Sequence, residues 1–187
     1  MPFLFKIEID LTRNIYNNPN NMNGIPIATS RFNEDTWREN QVYRTNNPTA
    51  RCIYGCPVRI SDKIPLGYPV FIVEMNNSTN NIEGIGLIKN TVSFDKYYSV
   101  YKTGNYNRYV YKSEWYLSRD QLAECNIQLV QNLDYILFKE KTHLKRGSGI
   151  TRIPEKLLKH KRCGEMNMAK ELRLLFIDKF KDATLIA

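Results

Sequence analysis

Apolar and polar residues alternate along "FLFKIEID" (3–10), with Phe3, Phe5, Ile7 and Ile9 on one side and Leu4, Lys6, Glu8 and Asp10 on the other. A period of two predicts a half-buried strand, because successive side chains leave a strand on opposite faces. The Asn-rich "RNIYNNPNNMNG" (13–24) favours turns and gives a core little. After the short apolar "IPIAT" (25–29), Asn33 precedes Glu34 and Asp35. A capping side chain followed by first-turn carboxylates predicts a short helix over 33–40 that carries Trp37. "RCIYGCPVRI" (51–60) and "YPVFIVEMN" (68–76) read as strands. The second leads through "NSTNN" into "IEGIGLIKN", a hairpin pattern. Gly84 and Gly86 share one face of its second strand, which predicts close approach of another backbone there, or a bulge.

Residues 94–117 hold seven of the twelve tyrosines, interleaved with Lys96, Lys102, Arg108 and Lys112. In "NRYVYKSEW" a period of two sets Tyr109 and Tyr111 opposite Arg108, Val110 and Lys112. Ser118 and Gln121 form a capping-box pattern that opens a helix with a break near Asn126. Pro154 suits a first helical position and Gly164 a stop. "MAKELRLLFIDKF" (168–180) carries Leu172, Leu175 and Phe176 at helical spacing. The order of elements predicts an α+β chain: a core over 1–138, then a basic loop and C-terminal helices over 139–187 packed on it as one domain.

Charge sharpens this picture. Residues 1–138 hold 14 basic and 13 acidic side chains, residues 139–162 hold 9 and 2, and residues 163–187 hold 4 of each. Nearly all of the net +8 therefore sits in one segment of 24 residues. Such concentration points to a polyanionic partner, whereas an even spread would speak only of solubility. Within the segment, "HLKRGSGITRIP" (143–154) lacks the Lys that directly follows the last glycine of a P-loop. It still supplies what a phosphate needs: Gly147 and Gly149 for a tight turn, hydroxyls from Ser148 and Thr151, and charge from Lys145, Arg146 and Arg152. Lys159, Lys161 and Arg162 extend the basic run. A solvated loop with scattered charges is the plain alternative. For base stacking the candidates are Trp37, Tyr109, Tyr111 and Trp115, since flat rings accept any base. Core packing is the ordinary fate of such aromatics.

Metal and catalytic patterns are sparse. Cys52-x3-Cys56 and His160-x2-Cys163 together offer four zinc-type ligands. The pairs lie about a hundred residues apart, and Cys52, Tyr54 and Cys56 share a strand face where thiols act as small apolar groups. Free thiols and no cofactor are the expectation. Neither His-Glu-x-x-His nor Gly-x-Ser-x-Gly occurs, so the pattern points away from an enzyme. A metal-dependent nuclease using Glu74 or Glu114 is the catalytic alternative. No run of about 18 apolar residues is present, so no membrane partner is expected. Early charges in the first ten residues argue against a secretory signal, and free cysteines fit a reducing, intracellular setting.

Two resemblances add to this reading. "NYNRYVYKSEWYLSRDQL" followed by "LDYILFKEKTHLKRGSGITRIP" resembles paired blocks of an uncharacterised protein family of large nucleocytoplasmic DNA viruses, over residues 105–154. That resemblance implies a viral protein of the host cytoplasm, viral factory or virion. "IPLGYPVFIVEMNNSTNNIEGIGLIKN" (64–90) is similar to the hairpin of PUA-like domains, the group that holds the YTH and EVE readers of modified nucleotides. It implies a small, partly open β-barrel flanked by helices. In such readers an aromatic cage, often of Trp, encloses a methylated base, and here only Trp37 and Trp115 could supply Trp.

Together these features predict a viral nucleic-acid-binding protein. Lys145, Arg146, Arg152, Lys159, Lys161 and Arg162 would hold phosphates and the aromatic strands would hold bases. RNA or another single strand is favoured, because stacking needs unpaired bases. A virion or assembly component that meets viral proteins through the Tyr-rich surface is the other expectation.

Overall fold

The computed structural model describes residues 24–139 and 143–180. Its elements, in chain order, are β1 (Ile27–Phe32), α1 (Glu34–Asn46), β2 (Cys52–Cys56), β3 (Pro69–Asn76), β4 (Asn81–Lys89), β5 (Tyr109–Ser113), β6 (Tyr116–Ser118), α2 (Arg119–Asp134), β7 (Thr151–Arg152), α3 (Glu155–Leu158) and α4 (Met168–Phe180). The strand expected at 3–10, and all of the Asn-rich stretch before Gly24, lie outside the described residues.

The architecture is α+β around a mixed five-stranded sheet of order β6-β4-β3-β1-β7. The expected hairpin is its centre. β3 and β4 pair antiparallel from Pro69↔Lys89 to Asn76↔Asn81, with a register shift between Glu74 and Met75. β1 adds parallel to β3, and the two-residue β7 closes the edge against Ala28 and Thr29. β2 and β5 form a separate antiparallel ribbon. No closed barrel forms among the described residues, because β2 and β5 pair with each other instead of extending the sheet.

Both faces of the sheet are buried, which explains why "PVFIV" reads as an unbroken apolar run. Phe71, Val73 and Met75 face Leu129 and Leu133 of α2 and Leu172 and Phe176 of α4. Val70 and Ile72 face Ile53, Tyr54, Val110 and Tyr111 of the ribbon. Each of these side chains contributes roughly 1.5–3 kcal/mol by leaving water. The helix ends follow their local chemistry. Asn33 caps α1 in a reciprocal arrangement with Thr36, and Ser118 does the same with Gln121 for α2. Asn126 leaves helical geometry at φ −155°, and its Oδ1 accepts from the Leu129 N–H, capping the second half of α2. α1 runs to Asn46, beyond the expected end near residue 40. Its extra turns carry Arg44, and buried Asn40 donates to the Ile53 carbonyl (2.8 Å) and the Tyr101 hydroxyl (3.0 Å).

A charged group occupies the ribbon side of the core. Glu74 is 0% exposed, and the Arg44 side chain, at 9%, is ion-paired to it. The hydroxyls of Tyr54 and Tyr116 donate to the two Glu74 oxygens, each at 3.0 Å. Gly84 and Gly86 make room for this. A Cβ on Gly84 would stand 2.2 Å from the Tyr116 hydroxyl, and one on Gly86 would stand 2.4 Å from the Tyr54 hydroxyl. The close approach at these glycines is thus made mainly by side chains, Tyr116 at Gly84 and Tyr54 with Cys52 Sγ (2.7 Å) at Gly86, with the Leu117 carbonyl 2.7 Å from a Cβ at Gly84, and the register shift falls next to Gly84. Burial acts to lower the Arg44 pKa. The Glu74 charge, the neighbouring Tyr54 and Tyr116 and the Glu74 hydrogen bond outweigh it, so the pKa is raised and the cation is held.

Candidate nucleic-acid interface

The basic turn expected over 143–154 is tied to the sheet through its carbonyls. Arg31, on β1, donates from Nε to the Leu144 carbonyl and from Nη1 to the Gly149 carbonyl (3.5 Å) and Thr151 Oγ1 (3.2 Å). Asn77, in the β3–β4 turn, donates from Nδ2 to the Lys145 carbonyl (3.0 Å). Gly147 and Gly149 take φ of 104° and 72°, a backbone region that side chains disfavour. No backbone N–H from Arg146 to Ser148 donates to another described residue. With the Leu144, Lys145 and Gly149 carbonyls taken by Arg31 and Asn77, the turn keeps N–H groups without a described acceptor, the kind of donor an anionic oxygen accepts from. Burial lowers the Arg31 pKa, but a guanidinium starts so high that it keeps its charge.

Beside this turn lies a cavity of about 170 Å³, lined by Arg31, Phe32, Tyr101, Tyr106 and the Gly147–Gly149 backbone among others. Ligand sites for drug-sized molecules run to roughly 300–1,000 Å³, so this volume is on the scale of a single heterocycle. Its aromatic wall is built by a folded loop. Asn107 Oδ1 accepts from the Val100 and Tyr101 N–H groups, both at 3.0 Å, and its Nδ2 donates to the Tyr101 carbonyl at 2.7 Å. That closure sets the Tyr101 and Tyr106 rings edge to face, 6.2 Å apart. Gly55 of β2 lets the loop settle, since a Cβ there would meet the Tyr106 carbonyl at 2.3 Å.

The remaining candidates are dispersed. Tyr111 is 1% exposed and its hydroxyl accepts from the Ile60 N–H, so it is a core residue and its ring is not available for stacking. Trp37 packs edge-on against Phe32 with Arg44 over its ring. Tyr109 has Arg59 and Arg108 over its ring at 5.2 and 5.4 Å. Trp115 lines a groove on another part of the surface with Phe94 and Lys112. Arg152 and Lys159 both reach Glu155, at 3.9 and 3.0 Å, and line a different cavity. Arg162 lies over the Tyr135 ring, and Lys161 is exposed on the turn beside it. The basic segment is therefore at least two sites, not one stripe. Arg31, Asn77, Tyr101, Tyr106 and Gly55 went unnoticed in the sequence. Only Gly55, a glycine inside the strand "CIYGC", carried a readable signal.

The zinc set does not assemble. Cys52 and Cys56 belong to the ribbon side of the core, Cys163 to the helical side, and no three metal-type side chains cluster among the described residues. Glu74 is enclosed by Arg44 and two tyrosines, which removes it as a metal-binding carboxylate, and Glu114 stands exposed in the Trp115 groove. No described helix is long and apolar enough to cross a membrane. No protein family, curated protein or solved structure matches the chain.

Burial pushes the Cys52 and Cys56 thiols up to about 12, and burial likewise raises Tyr54 and Tyr101. In the unfolded chain these groups ionise near 9 and 10. The folded state keeps their protons, so their contribution is fully present below pH 9 and is lost as pH rises toward 12. Urea midpoints measured from pH 8 to 11.5 are expected to fall steadily above pH 9. In native protein a thiol reagent at pH 8 is expected to modify exposed Cys125 quickly, and the three buried thiols only after denaturation.

Proposed function

We propose that the protein binds single-stranded nucleic acid, with a phosphate on the Arg146–Ser148 amides and one unpaired base in the adjoining cavity. The observation that carries this is their adjacency: the Gly147–Gly149 turn, Arg31 and the Tyr106 ring, set edge to face on buried Tyr101, border one base-sized space. Lys145 and Arg146 stand at the same turn and supply long-range attraction. A modified-base reader of PUA-like descent is the narrower form of this reading. Phe32 and Tyr101 are core rings, so the ring offered to a base would be Tyr106, with Trp37 and Trp115 elsewhere. The assembly reading draws on one separate observation, the outward Phe94 and Tyr97 at 73% and 77% exposure. Co-purification of a protein partner that survives nuclease treatment is its test.

Fluorescence anisotropy with labelled single-stranded RNA and DNA, over 50–200 mM salt, tests the main reading. Affinity is expected to fall with salt by about 0.7 logarithmic units of K per unit of log salt for each phosphate held. Replacing Lys145 and Arg146 by Gln is expected to reduce that slope by about 1.4. Absence of binding at 50 mM salt, or a slope left unchanged by the double substitution, overturns it.

A further inference from the structure

A second cavity lies at the β7 edge. It encloses about 330 Å³ and is lined by Ile25 and Ile27, by Leu158 and Met166, and by Arg152 and Lys159. Two features distinguish it from an ordinary surface hollow. Both cations converge on one carboxylate: Glu155 Oε1 lies 3.9 Å from Arg152 Nη2 and its Oε2 lies 3.0 Å from Lys159 Nζ. An anion of carboxylate size therefore already occupies the point where the two charges meet, and the chain itself supplies it. The other feature is a mixed wall, with apolar side chains beside a charged pair, as a heterocycle joined to a phosphate requires. Glu165 also lines the cavity, but from the 164–168 turn and not from the 152–159 stretch that carries the ion cluster.

Its position relative to the first cavity gives the arrangement meaning. Gly149 borders the small cavity, on the ribbon side of the sheet, and Arg152 the large one, on the helical side, three residues apart along β7, the edge a strand would round. Three residues of extended chain span at most about 10 Å. At about 3.4 Å per nucleotide along a stacked strand, that is about three steps.

We infer that the Arg152–Lys159 cavity is a second nucleotide subsite for the same strand, reached along the β7 edge, with Glu155 holding the place of the incoming phosphate. The inference rests on the proposed single-strand reading. When a strand of sufficient length binds, its phosphate takes Arg152 and Lys159 from Glu155, and the carboxylate turns to solvent. Exposed pairs of this kind are weak, so the exchange needs no large rearrangement. Glu155 then acts as an internal competitor that opposes short or poorly seated ligands.

The test uses the full chain with 5′-labelled single-stranded RNAs of one, two, four and eight nucleotides at 50 mM salt. Wild-type affinity is expected to rise at least tenfold from one nucleotide to four and to change little from four to eight, beyond the gain in overlapping registers. Glu155→Gln is expected to tighten the tetranucleotide two- to fivefold and to leave the mononucleotide unchanged. Arg152→Gln with Lys159→Gln is expected to abolish the length-dependent gain. Lys156→Gln removes one charge from the same short helix outside the cavity and is expected to retain the gain. Wild-type protein that binds none of these RNAs overturns the proposed function and this inference together. Binding by the wild type with a length dependence untouched by the Arg152/Lys159 pair, or equally reduced by Lys156→Gln, overturns the second subsite alone.

Discussion

Glu74→Ala is expected to lower folding stability by about 3–5 kcal/mol, the range found when one partner of a buried ion pair is removed. The substitution strands Arg44, whose side chain is 9% exposed and whose Nε already lacks a partner within the described residues. It also leaves the Tyr54 hydroxyl without its carboxylate acceptor and the Tyr116 hydroxyl with only the distant Glu83 carbonyl, at 3.4 Å. The companion variant, Arg44→Met with Glu74→Met, removes both charges and is expected to recover most of the loss, because a buried pair contributes little relative to apolar groups of similar size. Urea denaturation of the two variants reads the difference directly. A single variant within 1 kcal/mol of wild type would show that the core admits water to Arg44, and the account of this network would fail.

Arg31→Met is expected to weaken single-strand binding by about 30-fold while costing stability far less than Glu74→Ala. The guanidinium holds the Leu144 and Gly149 carbonyls and the Thr151 hydroxyl, so it is the clamp that fixes the two ends of the turn to β1. The bonds to Gly149 (3.5 Å) and Thr151 (3.2 Å) are long, so the clamp as a whole contributes about the 1.5–3 kcal/mol of one charge-assisted hydrogen bond, part of which would be returned as disorder of the loop. Arg31→Lys is expected to rescue poorly, since an ammonium cannot span several acceptors as the planar fork does. Hydrogen exchange separates positioning from simple charge loss. The hydrogen-bonded amides that flank the turn, Leu144 on the Leu137 carbonyl and Ile153 on the Ile27 carbonyl, should exchange faster in Arg31→Met and as in wild type in the Lys145/Arg146 double variant.

Local chemistry was readable from the sequence wherever neighbours in the chain are neighbours in space. Asn33 and Ser118 announced their helices, Asn126 its break, and "PVFIVEMN–NSTNN–IEGIGLIKN" its hairpin. The far end of α1 was not readable, because "VYRTNN" has no apolar period and is held by Asn40 and Arg44 reaching inward. Glu74 resembled an exposed strand carboxylate, since nothing local marks Arg44, thirty residues earlier, as its partner. The tyrosines divided in a way no period could foretell. Tyr111 went to the core and Tyr106 to a cavity wall, according to which side of the ribbon the Asn107 loop folds over. The basic segment was recognised by composition, yet its division by Glu155 into two sites depends on geometry. Arg31 was invisible for the same reason: its contacts lie more than a hundred residues downstream.

That separation has a consequence for how the protein is made. β1 pairs with β7 across 122 residues at Thr29 and Thr151, and Arg31 reaches Leu144 across 113. Contacts so distant along the chain form late, after the loop between them has closed. A nascent chain leaving the ribosome can assemble the β3–β4 hairpin and the ribbon long before residue 144 emerges. The turn at 144–149 therefore gains its anchor only once the sheet beneath it stands, and a chain cut short of residue 144 would keep the hairpin and the ribbon but lose the contacts that close the β1 edge.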